Sequence, residues 1–310
     1  MTRVRIATRG SALALAQSGM VARALEGALG VTTELVPLVT SGDKLADASL
    51  AEVGGKGLFV KEVEEALLEG RADLAVHSAK DLPAQGHPGL VLAAFPPRAD
   101  PRDALVARAP GAKLLELPEG ARVGTGSARR ASQLRALRSD LRVVPLRGNV
   151  DTRLRRLLEA ERGLDAVLLA CAGLERLGRA AEIHERIDPA QVLPAVGQGV
   201  LALQTRAGDA LAEALRALDD APTRACLAAE RAFLVALGGD CNVPLAAFAE
   251  PEAGGGLRLR ALVASPDGAA LVRSEQRGRV ADAEAAGRRA ADEVCARGGA
   301  EILAALRGSS

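Results

Sequence analysis

The feature that most restricts the fold of this 310-residue chain is a regular alternation of short β-like runs with helical runs in its first half. Val4–Ala7 and Thr32–Thr40 are predicted strands, and Ser11 is placed to cap the helix between them. A helix over Leu58–Glu69 and a strand at Leu74–His77 continue the pattern. Such alternation is typical of parallel sheets covered by helices, so the predicted fold class is α/β.

Proline-containing breaks divide this region into two predicted lobes. The predicted strand Leu90–Phe95 is followed by Pro96-Pro97 and Asp100-Pro101, a stiff segment that suits a crossing between lobes. The second lobe is expected to contain three strands, Arg122–Gly124, Arg142–Leu146 and Ala166–Ala170. The segment from Pro194 leads into a strand at Leu201–Gln204 that is expected to return to the first lobe. Two lobes joined by two crossings form a hinge.

The chain changes character from Pro222. An Ala-rich helix runs to Leu237, and two predicted strands, Leu257–Val263 and Ala270–Glu275, precede a helix from residue 281. This pattern predicts a small α+β C-terminal domain. The expected domains are 1–98 with 196–219 (domain 1), 99–195 (domain 2) and 220–310 (domain 3).

Composition disfavours several classes of function. The formal net charge is only +1, so the chain does not work through bulk charge as a polybasic membrane binder does. Trp and Tyr are absent and there are four Phe, which disfavours base stacking on nucleic acid. Four scattered Cys and three His lack zinc-site spacing, so no metal is expected. Because we see neither a signal-peptide pattern nor a membrane-length apolar run, we expect a cytoplasmic protein without a membrane partner.

Residues 122–156 contain ten arginines and only two acidic residues. Thr125 and Ser127 stand where a predicted strand meets a helix, so backbone N–H groups and the Arg129-Arg130 pair can converge on an anion there. Arg147 and Arg153 form a second candidate anion clamp. Four of the other arginines are interpreted as solvated helix faces: Arg135, Arg138, Arg155 and Arg156. Binding of RNA stays open, although the lack of aromatic residues weakens it.

Asp81 follows a short apolar strand, at the position where open α/β sheets place their ligands. Neighbouring cations such as Lys80 favour its ionised form, which can stabilise a developing positive charge. The alternative is a turn aspartate before Leu82. Upstream, the run Val53–Gly57 lacks the P-loop spacing and is interpreted as a mobile loop that places Lys56 over an anionic ligand.

Cys241 differs from the other three cysteines because it stands in a loop between Gly-Gly-Asp and Asn-Val-Pro, where a thiolate is accessible. A cysteine that serves as an attachment point needs no nearby histidine. Cys171, Cys226 and Cys295 are interpreted as packing residues in an apolar run and in helices.

Seven segments, in this order and spacing, resemble the porphobilinogen deaminase (hydroxymethylbilane synthase) family, and the resemblance covers nearly the whole chain. The segments are Arg5-Ile-Ala-Thr-Arg-Gly-Ser11, Gly54-Gly-Lys-Gly-Leu-Phe59, Ala75-Val-His-Ser-Ala-Lys-Asp81, Gly124-Thr-Gly-Ser-Ala-Arg-Arg130, Leu146-Arg-Gly-Asn-Val150, Pro194-Ala-Val-Gly-Gln-Gly199 and Gly239-Asp-Cys-Asn-Val-Pro244. The resemblance implies two lobes like type II periplasmic binding proteins, joined by a double crossing, plus a C-terminal α+β domain. One departure is Gly126, where serine is common in the family.

The resemblance also implies the activity. Such an enzyme joins four porphobilinogen molecules head to tail, with release of ammonia, into hydroxymethylbilane on a dipyrromethane cofactor held by a thioether to Cys241. Asp81 is then the catalytic carboxylate, which assists the loss of ammonia and stabilises cationic azafulvene and pyrrole intermediates. The acetate and propionate groups of each pyrrole explain the many arginines.

The resemblance assigns further contacts by motif position. The implied cofactor-binding residues are Ser78, Lys80, Thr125, Ser127, Arg129 and Arg130. The implied substrate-binding residues are Arg9, Ser11, Gln17, Lys56, Arg147, Arg153, Arg176 and Gln198. We expect a monomer whose product passes to a downstream tetrapyrrole-cyclising enzyme. The main alternative is a non-catalytic two-lobed binding protein for small carboxylates, because the same fold often only binds.

Overall fold

The computed structural model describes residues 3–40, 60–239 and 243–308. Cys241, Lys56 and the whole 41–57 segment predicted as a loop therefore lie outside the described residues, as do Leu58 and Phe59 at the predicted start of a helix. The chain divides into two compact units, Met1–Ala99 with Gly199–Arg224 and Asp100–Gln198 with Ala225–Ser310. Each unit is described by itself.

The elements are named in chain order. Up to residue 99 they are β1 (Arg3–Arg9), α1 (Ala12–Leu29), β2 (Thr32–Leu38), α2 (Lys61–Leu68), β3 (Leu74–Ser78) and β4 (Leu90–Ala94). Between residues 100 and 198 they are β5 (Asp103–Ala107), β6 (Arg122–Thr125), α3 (Ala128–Leu137), β7 (Arg142–Pro145), α4 (Val150–Leu158), β8 (Ala166–Ala170), α5 (Cys171–Arg176) and β9 (Glu185–Ile187). From residue 199 they are β10 (Leu201–Arg206), α6 (Ala210–Ala214), α7 (Ala221–Ala236), β11 (Leu245–Glu252), β12 (Gly256–Ala264), β13 (Leu271–Arg279), α8 (Ala283–Val294) and α9 (Ala300–Gly308).

The first unit contains a five-stranded sheet in the order β2-β1-β3-β10-β4. β1 is parallel to β2 and β3, whereas β10 is antiparallel to its neighbours β3 and β4. Successive residues of β1 point to opposite faces of the sheet, so Ile6 packs in one apolar cluster with Leu25 of α1, and Ala7 packs in another with Leu67 of α2. Helices therefore cover both faces of this sheet.

The larger sheet of the second unit has the order β7-β6-β8-β5-β9. β6 is parallel to β7 and β8, and β5 is antiparallel to β8 and β9. Leu134 of α3 packs with Leu168 of β8 on one face, and Leu154 of α4 packs with Val167 of β8 on the other. In both five-stranded sheets the fourth strand in the order is antiparallel to its neighbours.

The C-terminal part of the second unit is a three-stranded antiparallel sheet in the order β11-β12-β13, with α8 packed against β12 and β13. The turn between β12 and β13 contacts α3. Arg135 of α3 donates from Nη1 to the Pro266 carbonyl at 2.6 Å. Gly268 in this turn has φ +77°, and a Cβ there would lie 2.6 Å from the carbonyl oxygen of Ser132. The turn therefore approaches the helix as closely as a glycine permits.

The predicted fold class is confirmed, because two α/β lobes and a small α+β part are present. Both five-stranded sheets are mixed, because β10 and β5 each run antiparallel to their neighbours, a feature that the alternation of strands and helices did not predict. Three strands, β5, β9 and β11, were not predicted from the sequence. In the described part of the chain, no helix is both long and apolar enough to cross a membrane.

Candidate active site

In the first unit, predicted site residues at the ends of β1 and β3 lie at the carboxyl edge of the sheet. β1 and β3 run parallel, so Arg9 at the end of β1 and Ser78 at the end of β3 lie at the same edge. A 3₁₀ turn, Ala79–Asp81, follows β3 directly. Asp81 is exposed, and within the described residues the structure shows no hydrogen bond or ion pair to its carboxylate. This carboxylate is therefore accessible to a ligand at the edge where α/β sheets bind ligands.

The first helix fixes the side chain that precedes this turn. Gln17 is 5% exposed and its Nε2 donates to Ser78 Oγ at 3.0 Å. Ser11 is occupied as the helix cap, with its Oγ accepting from the Ala14 N–H at 3.3 Å. The structure thus brings together Gln17 and Ser78, two of the residues predicted for the site, and gives Ser11 a structural contact.

A series of side-chain hydrogen bonds holds β3 on its other face. His77 Nε2 lies 2.9 Å from Gln204 Oε1, and Gln204 Nε2 donates to Glu64 Oε1 at 2.8 Å. Burial lowers the pKa of His77 to about 4, although the hydrogen bond to Gln204 opposes this shift. His77 is therefore neutral at pH 7. Because Oε1 of Gln204 can only accept, the proton of the ring is placed on Nε2.

In the second unit, the junction of β6 and α3 is built as predicted. Thr125 ends β6, and its Oγ1 accepts from the Ser127 N–H at 3.2 Å. Ser127 caps α3, with its Oγ accepting from the Arg130 N–H at 3.4 Å. Between them, a Cβ at Gly126 would lie 2.6 Å from the carbonyl oxygen of Leu146. The departure at Gly126 therefore has a steric reason in this chain.

Arg129 and Arg130 share one buried carboxylate, that of Asp103. Arg129 donates to it from Nη1 at 2.7 Å and from Nη2 at 3.1 Å. Arg130 donates to it from Nε at 2.9 Å and from Nη2 at 2.7 Å. Both arginines are 5% exposed, and Asp103 is fully buried. We call Asp103, Arg129 and Arg130 the Asp103 cluster.

The Asp103 cluster stays charged despite its burial. Burial alone would raise the pKa of Asp103, but the charges and hydrogen bonds of Arg129 and Arg130 outweigh it and hold the pKa below its ordinary value. Burial lowers the pKa of Arg129. The positive charge of Arg130 lowers it further, whereas the attraction of Asp103 opposes the shift. Two guanidiniums against one carboxylate leave one unbalanced positive charge. Nε of Arg129 is buried and, among the described residues, has no hydrogen-bond partner.

Three more predicted arginines are held within the second unit. Arg153 of α4 donates from Nε to the Gly148 carbonyl at 2.7 Å, and its Nη2 lies 3.9 Å from the position of a Cβ at Gly126. Arg147 lies in the loop after β7, where its carbonyl accepts from Arg156 Nη1 at 2.9 Å. Burial lowers the pKa of Arg176 to about 10, with Glu175 opposing the shift. The structure therefore places Arg153 beside the Thr125–Ser127 turn.

Gln198 contributes to the Asp103 cluster. Its side chain is almost fully buried, and Nε2 donates to Asp103 Oδ1 at 2.9 Å and to the Pro101 carbonyl at 2.6 Å. Its predicted contact with substrate stays a prediction. Sequence reasoning missed Asp103, although a charged residue at the head of the apolar run Ala104–Ala107 was an available signal.

The other arginines of the segment have mixed surroundings. Arg155 is exposed, as interpreted, but Arg135, Arg138 and Arg156 are half-buried and each donates to a backbone carbonyl. Arg138 also pairs with Asp140, with Nη2 at 2.6 Å from Oδ2. Those three arginines therefore stabilise the backbone of the unit by hydrogen bonds and are also partly exposed to solvent.

Comparison with known proteins identifies the family. A family model described as porphobilinogen deaminase, dipyromethane cofactor binding domain, matches residues 4–214, and a model described as porphobilinogen deaminase, C-terminal domain, matches residues 224–296. The chain belongs to the porphobilinogen deaminase family. The sequence-based assignments of reaction, substrate and dipyrromethane cofactor are thereby confirmed, and the alternative of a non-catalytic binding protein is not supported.

Individual relatives agree with the family assignment. A porphobilinogen deaminase of Sorangium cellulosum is 54% identical over 278 residues, which cover 89% of this chain and 91% of the relative. A porphobilinogen deaminase of a Roseiflexus species is 52% identical over 301 residues, which cover 96% of this chain and 98% of the relative. Among solved structures, the periplasmic VFT2 domain of Bordetella pertussis BvgS is 18% identical, with a TM-score of 0.42 over 70% of this chain and 86% of that chain.

The three cysteines that the structure describes lack the accessible, reactive thiol that an attachment point needs. Cys171 and Cys226 are buried, and Cys295 is half-buried. Burial raises the pKa of the Cys171 thiol to about 12, and the charge of Asp100 adds to the shift. A thiol with such a pKa is almost fully protonated at pH 7 and is a poor nucleophile.

Proposed function

We propose that Cys241 carries the dipyrromethane primer through a thioether and that Asp81 is the catalytic carboxylate of stepwise porphobilinogen polymerisation. The observation that supports this most is the separation of two kinds of group. The first unit offers an accessible carboxylate at a sheet edge, and the second offers a buried cluster with excess positive charge.

The residues of the second unit fit an anionic primer. The acetate and propionate side chains of a dipyrromethane are carboxylates, and guanidinium N–H groups bind carboxylates with strong charge-assisted hydrogen bonds. The buried Nε of Arg129 has no partner among the described residues, so an N–H donor is available for such a group. Thr125 and Ser127 add hydroxyls at the same junction. We assign primer binding to Ser78, Lys80, Thr125, Ser127, Arg129 and Arg130.

When bound, the primer supplies the pyrrole end to which each porphobilinogen is joined. The role of Asp81 is to assist the departure of ammonia from the aminomethyl group and to stabilise the positive charge that remains on the substrate. An exposed carboxylate at the end of a short turn can do this without reorganising the sheet. The Gln17–Ser78 hydrogen bond on one face of β3 and the His77–Gln204 contact on the other hold the strand that precedes Asp81.

Substrate binding is assigned to the cationic and polar residues that the family motifs imply. They are Arg9, Ser11, Gln17, Lys56, Arg147, Arg153, Arg176 and Gln198. Arg153 has the strongest structural support, because its Nη2 lies beside the Thr125–Ser127 turn. Lys56 belongs to the segment 41–57, which the sequence predicts as a loop, and we propose that this segment and the lobes shift as the chain of pyrroles lengthens.

We further propose that the enzyme is a cytoplasmic monomer with three domains, 1–98 with 196–219, 99–195 and 220–310. Its product, hydroxymethylbilane, is a linear tetrapyrrole, so the enzyme that uses it must close the ring. The matched family models support a boundary between residues 214 and 224.

Substitution of Asp81 tests the catalytic assignment. Asp81→Asn is expected to lower the rate of ammonia release from porphobilinogen by about 10²–10⁴-fold, the range for loss of a general acid–base group. The far-ultraviolet circular dichroism spectrum is expected to stay native because Asp81 is exposed. Glu69→Gln, at another exposed carboxylate of the same unit, is the matched control and is expected to keep its rate. An Asp81→Asn protein that turns over at the wild-type rate would refute the assignment.

A further inference from the structure

Asp103 occupies an unusual position in the larger sheet of the second unit. It is the first residue of β5, the strand that runs against β8, and its register partner is Ala170, the last residue of β8. The start of β5 therefore lies at the carboxyl edge of the parallel strands. This is also the edge where β6 ends at Thr125. Asp103 thus reaches the binding edge because its strand runs in the opposite direction.

The Asp103 carboxylate accepts five hydrogen bonds. Four of them come from Arg129 and Arg130, and the fifth comes from the amide of Gln198. The two arginines present different edges to it. Arg129 approaches with its two terminal nitrogens, whereas Arg130 approaches with Nε and Nη2. One carboxylate therefore sets the orientation of both guanidinium planes.

The remaining donors follow from these contacts. Arg129 uses a third N–H on the Leu193 carbonyl, and Arg130 uses a third on the Leu168 carbonyl. Each guanidinium has five N–H groups, so within the described residues two remain on each. Because it is paired with two guanidiniums, the Asp103 carboxylate stays ionised, and the cluster keeps one net positive charge. Spare N–H donors and an excess positive charge in a buried cluster favour the binding of an anion.

We infer that Asp103 is a positioning residue for the primer: it fixes the Arg129 and Arg130 guanidiniums so that their remaining N–H groups bind one carboxylate of the dipyrromethane. This inference rests on the proposed binding of the primer by Arg129 and Arg130. Asp103 does not itself bind a carboxylate of the primer, because an ionised carboxylate has no hydrogen-bond donor to offer. It acts through the two arginines, and Gln198 donates to its Oδ1 as a further anchor.

Stability alone does not account for this arrangement. Buried ion pairs are often no more stabilising than apolar residues of the same size, because removing the charges from water is costly. A second buried arginine adds a further desolvation cost without a second carboxylate to balance it. An anionic ligand that binds there recovers this cost, so the excess charge favours primer binding.

Variants of Asp103 separate positioning from simple charge attraction. Asp103→Asn raises the net charge of the cluster to two positive charges but removes the shared anchor. Charge attraction alone predicts that this variant holds an anion more tightly, whereas positioning predicts that it loses the primer. Asp103→Glu keeps the charge and moves the carboxylate by one methylene group. Asp140→Asn removes the partner of Arg138, an ion pair of similar geometry away from the cluster, and is the matched control.

The experiment is intact-mass spectrometry of each purified protein before and after incubation with porphobilinogen, with circular dichroism to verify folding. We expect the wild type and Asp140→Asn to carry the mass of two linked pyrroles in most molecules. Asp103→Asn is expected to carry it in at least tenfold fewer molecules, and Asp103→Glu in an intermediate fraction. If Asp103→Asn does not fold, the fraction of natively folded Asp103→Glu that carries the primer tests the inference instead.

Each outcome has a defined meaning. Reduced loading of a folded Asp103 variant beside a loaded Asp140→Asn supports the inference. A loaded wild type with equally loaded Asp103→Glu and Asp103→Asn refutes the positioning role but leaves the proposed function standing. The same refutation holds if Asp103→Asn does not fold and Asp103→Glu is loaded like the wild type. A wild type that never gains the mass refutes both.

Discussion

Mild acid is expected to destabilise the strand that precedes Asp81 through protonation of His77. The His77 ring is buried beside Gln204 of β10, and its pKa in the folded protein is about 4, below the ordinary value of 6.5. The unfolded chain binds a proton as the pH falls below 6.5, whereas the folded chain does not until about pH 4. The stability that neutral His77 allows is therefore complete above pH 6.5 and is lost between 6.5 and 4.

The size of the effect follows from the two pKa values. A difference of one pKa unit corresponds to about 1.4 kcal/mol, so the free energy of unfolding should fall by about 2 kcal/mol between pH 7 and pH 5. Two buried carboxylates titrate outside this window. Asp103 and Asp73 have pKa values lowered from 3.8, so their contributions are lost only at more acidic pH.

Urea denaturation at pH 7 and pH 5, followed by far-ultraviolet circular dichroism, measures the effect, since the chain has no Trp or Tyr for fluorescence. If the two units unfold in separate transitions, only the transition of the unit with residues 1–99 should shift. His77→Gln removes the titrating group and should abolish most of the difference between pH 7 and pH 5. His87→Asn, at an exposed histidine of the same unit, should retain it. Equal losses in wild type and His77→Gln would refute the reasoning.

Three substitutions test the packing of the second unit by urea denaturation. Gly268→Ala should lower the free energy of unfolding by about 2–4 kcal/mol, because it adds a clash with the backbone of α3 to the strain of φ +77°. Gly254→Ala, at φ +71° with open space around it, should lower it by only about 1 kcal/mol. Equal losses in the two variants would contradict the clash. Glu230→Ala should lower the free energy of unfolding by about 2–4 kcal/mol, because the buried carboxylate accepts from the Gly197 and Ala249 N–H groups at 2.6 and 2.9 Å. A loss below about 0.5 kcal/mol would contradict this expectation. Gly126→Ser should destabilise the chain by about 1–3 kcal/mol because its Cβ meets the Leu146 carbonyl, and an unchanged or higher stability would contradict the steric reading.

Local sequence signals were enough to predict most elements. Ser11 and Ser127 each precede a predicted helix, and the side-chain oxygen of each accepts a backbone N–H three residues later. The apolar run Ala166–Ala170 is the strand β8 with the same bounds. These features depend on neighbours within a few positions, which a sequence displays directly.

The missed strands depend on distant partners or on interrupted patterns. β5 follows the Asp100-Pro101 break and begins with a charged residue, and β11 contains Pro251, so neither resembles an uninterrupted apolar strand. The direction of β10 is set by where the chain re-enters the first sheet. The apolar pattern of a single buried strand does not fix its direction in a sheet, so the mixed character of both large sheets could not be predicted from the runs alone.

The candidate site shows the same division. Residue types and order were enough to select Arg129 and Arg130 as a candidate anion-binding pair. Their carboxylate partner lies 26 positions before Arg129 and reaches the pair only through the antiparallel placement of β5. Asp103 is therefore visible only when the sheet topology is known.

The central claim is that a pyrrole primer is bound covalently at Cys241, and the mass of the intact purified chain tests it most directly. The wild type is expected to exceed the mass of its residues by two linked pyrrole units, and Cys241→Ser is expected to match the mass of its residues with no excess. Cys226→Ser, at a buried thiol, should keep the excess. A wild type whose mass equals that of its residues, before and after exposure to porphobilinogen, would contradict the account.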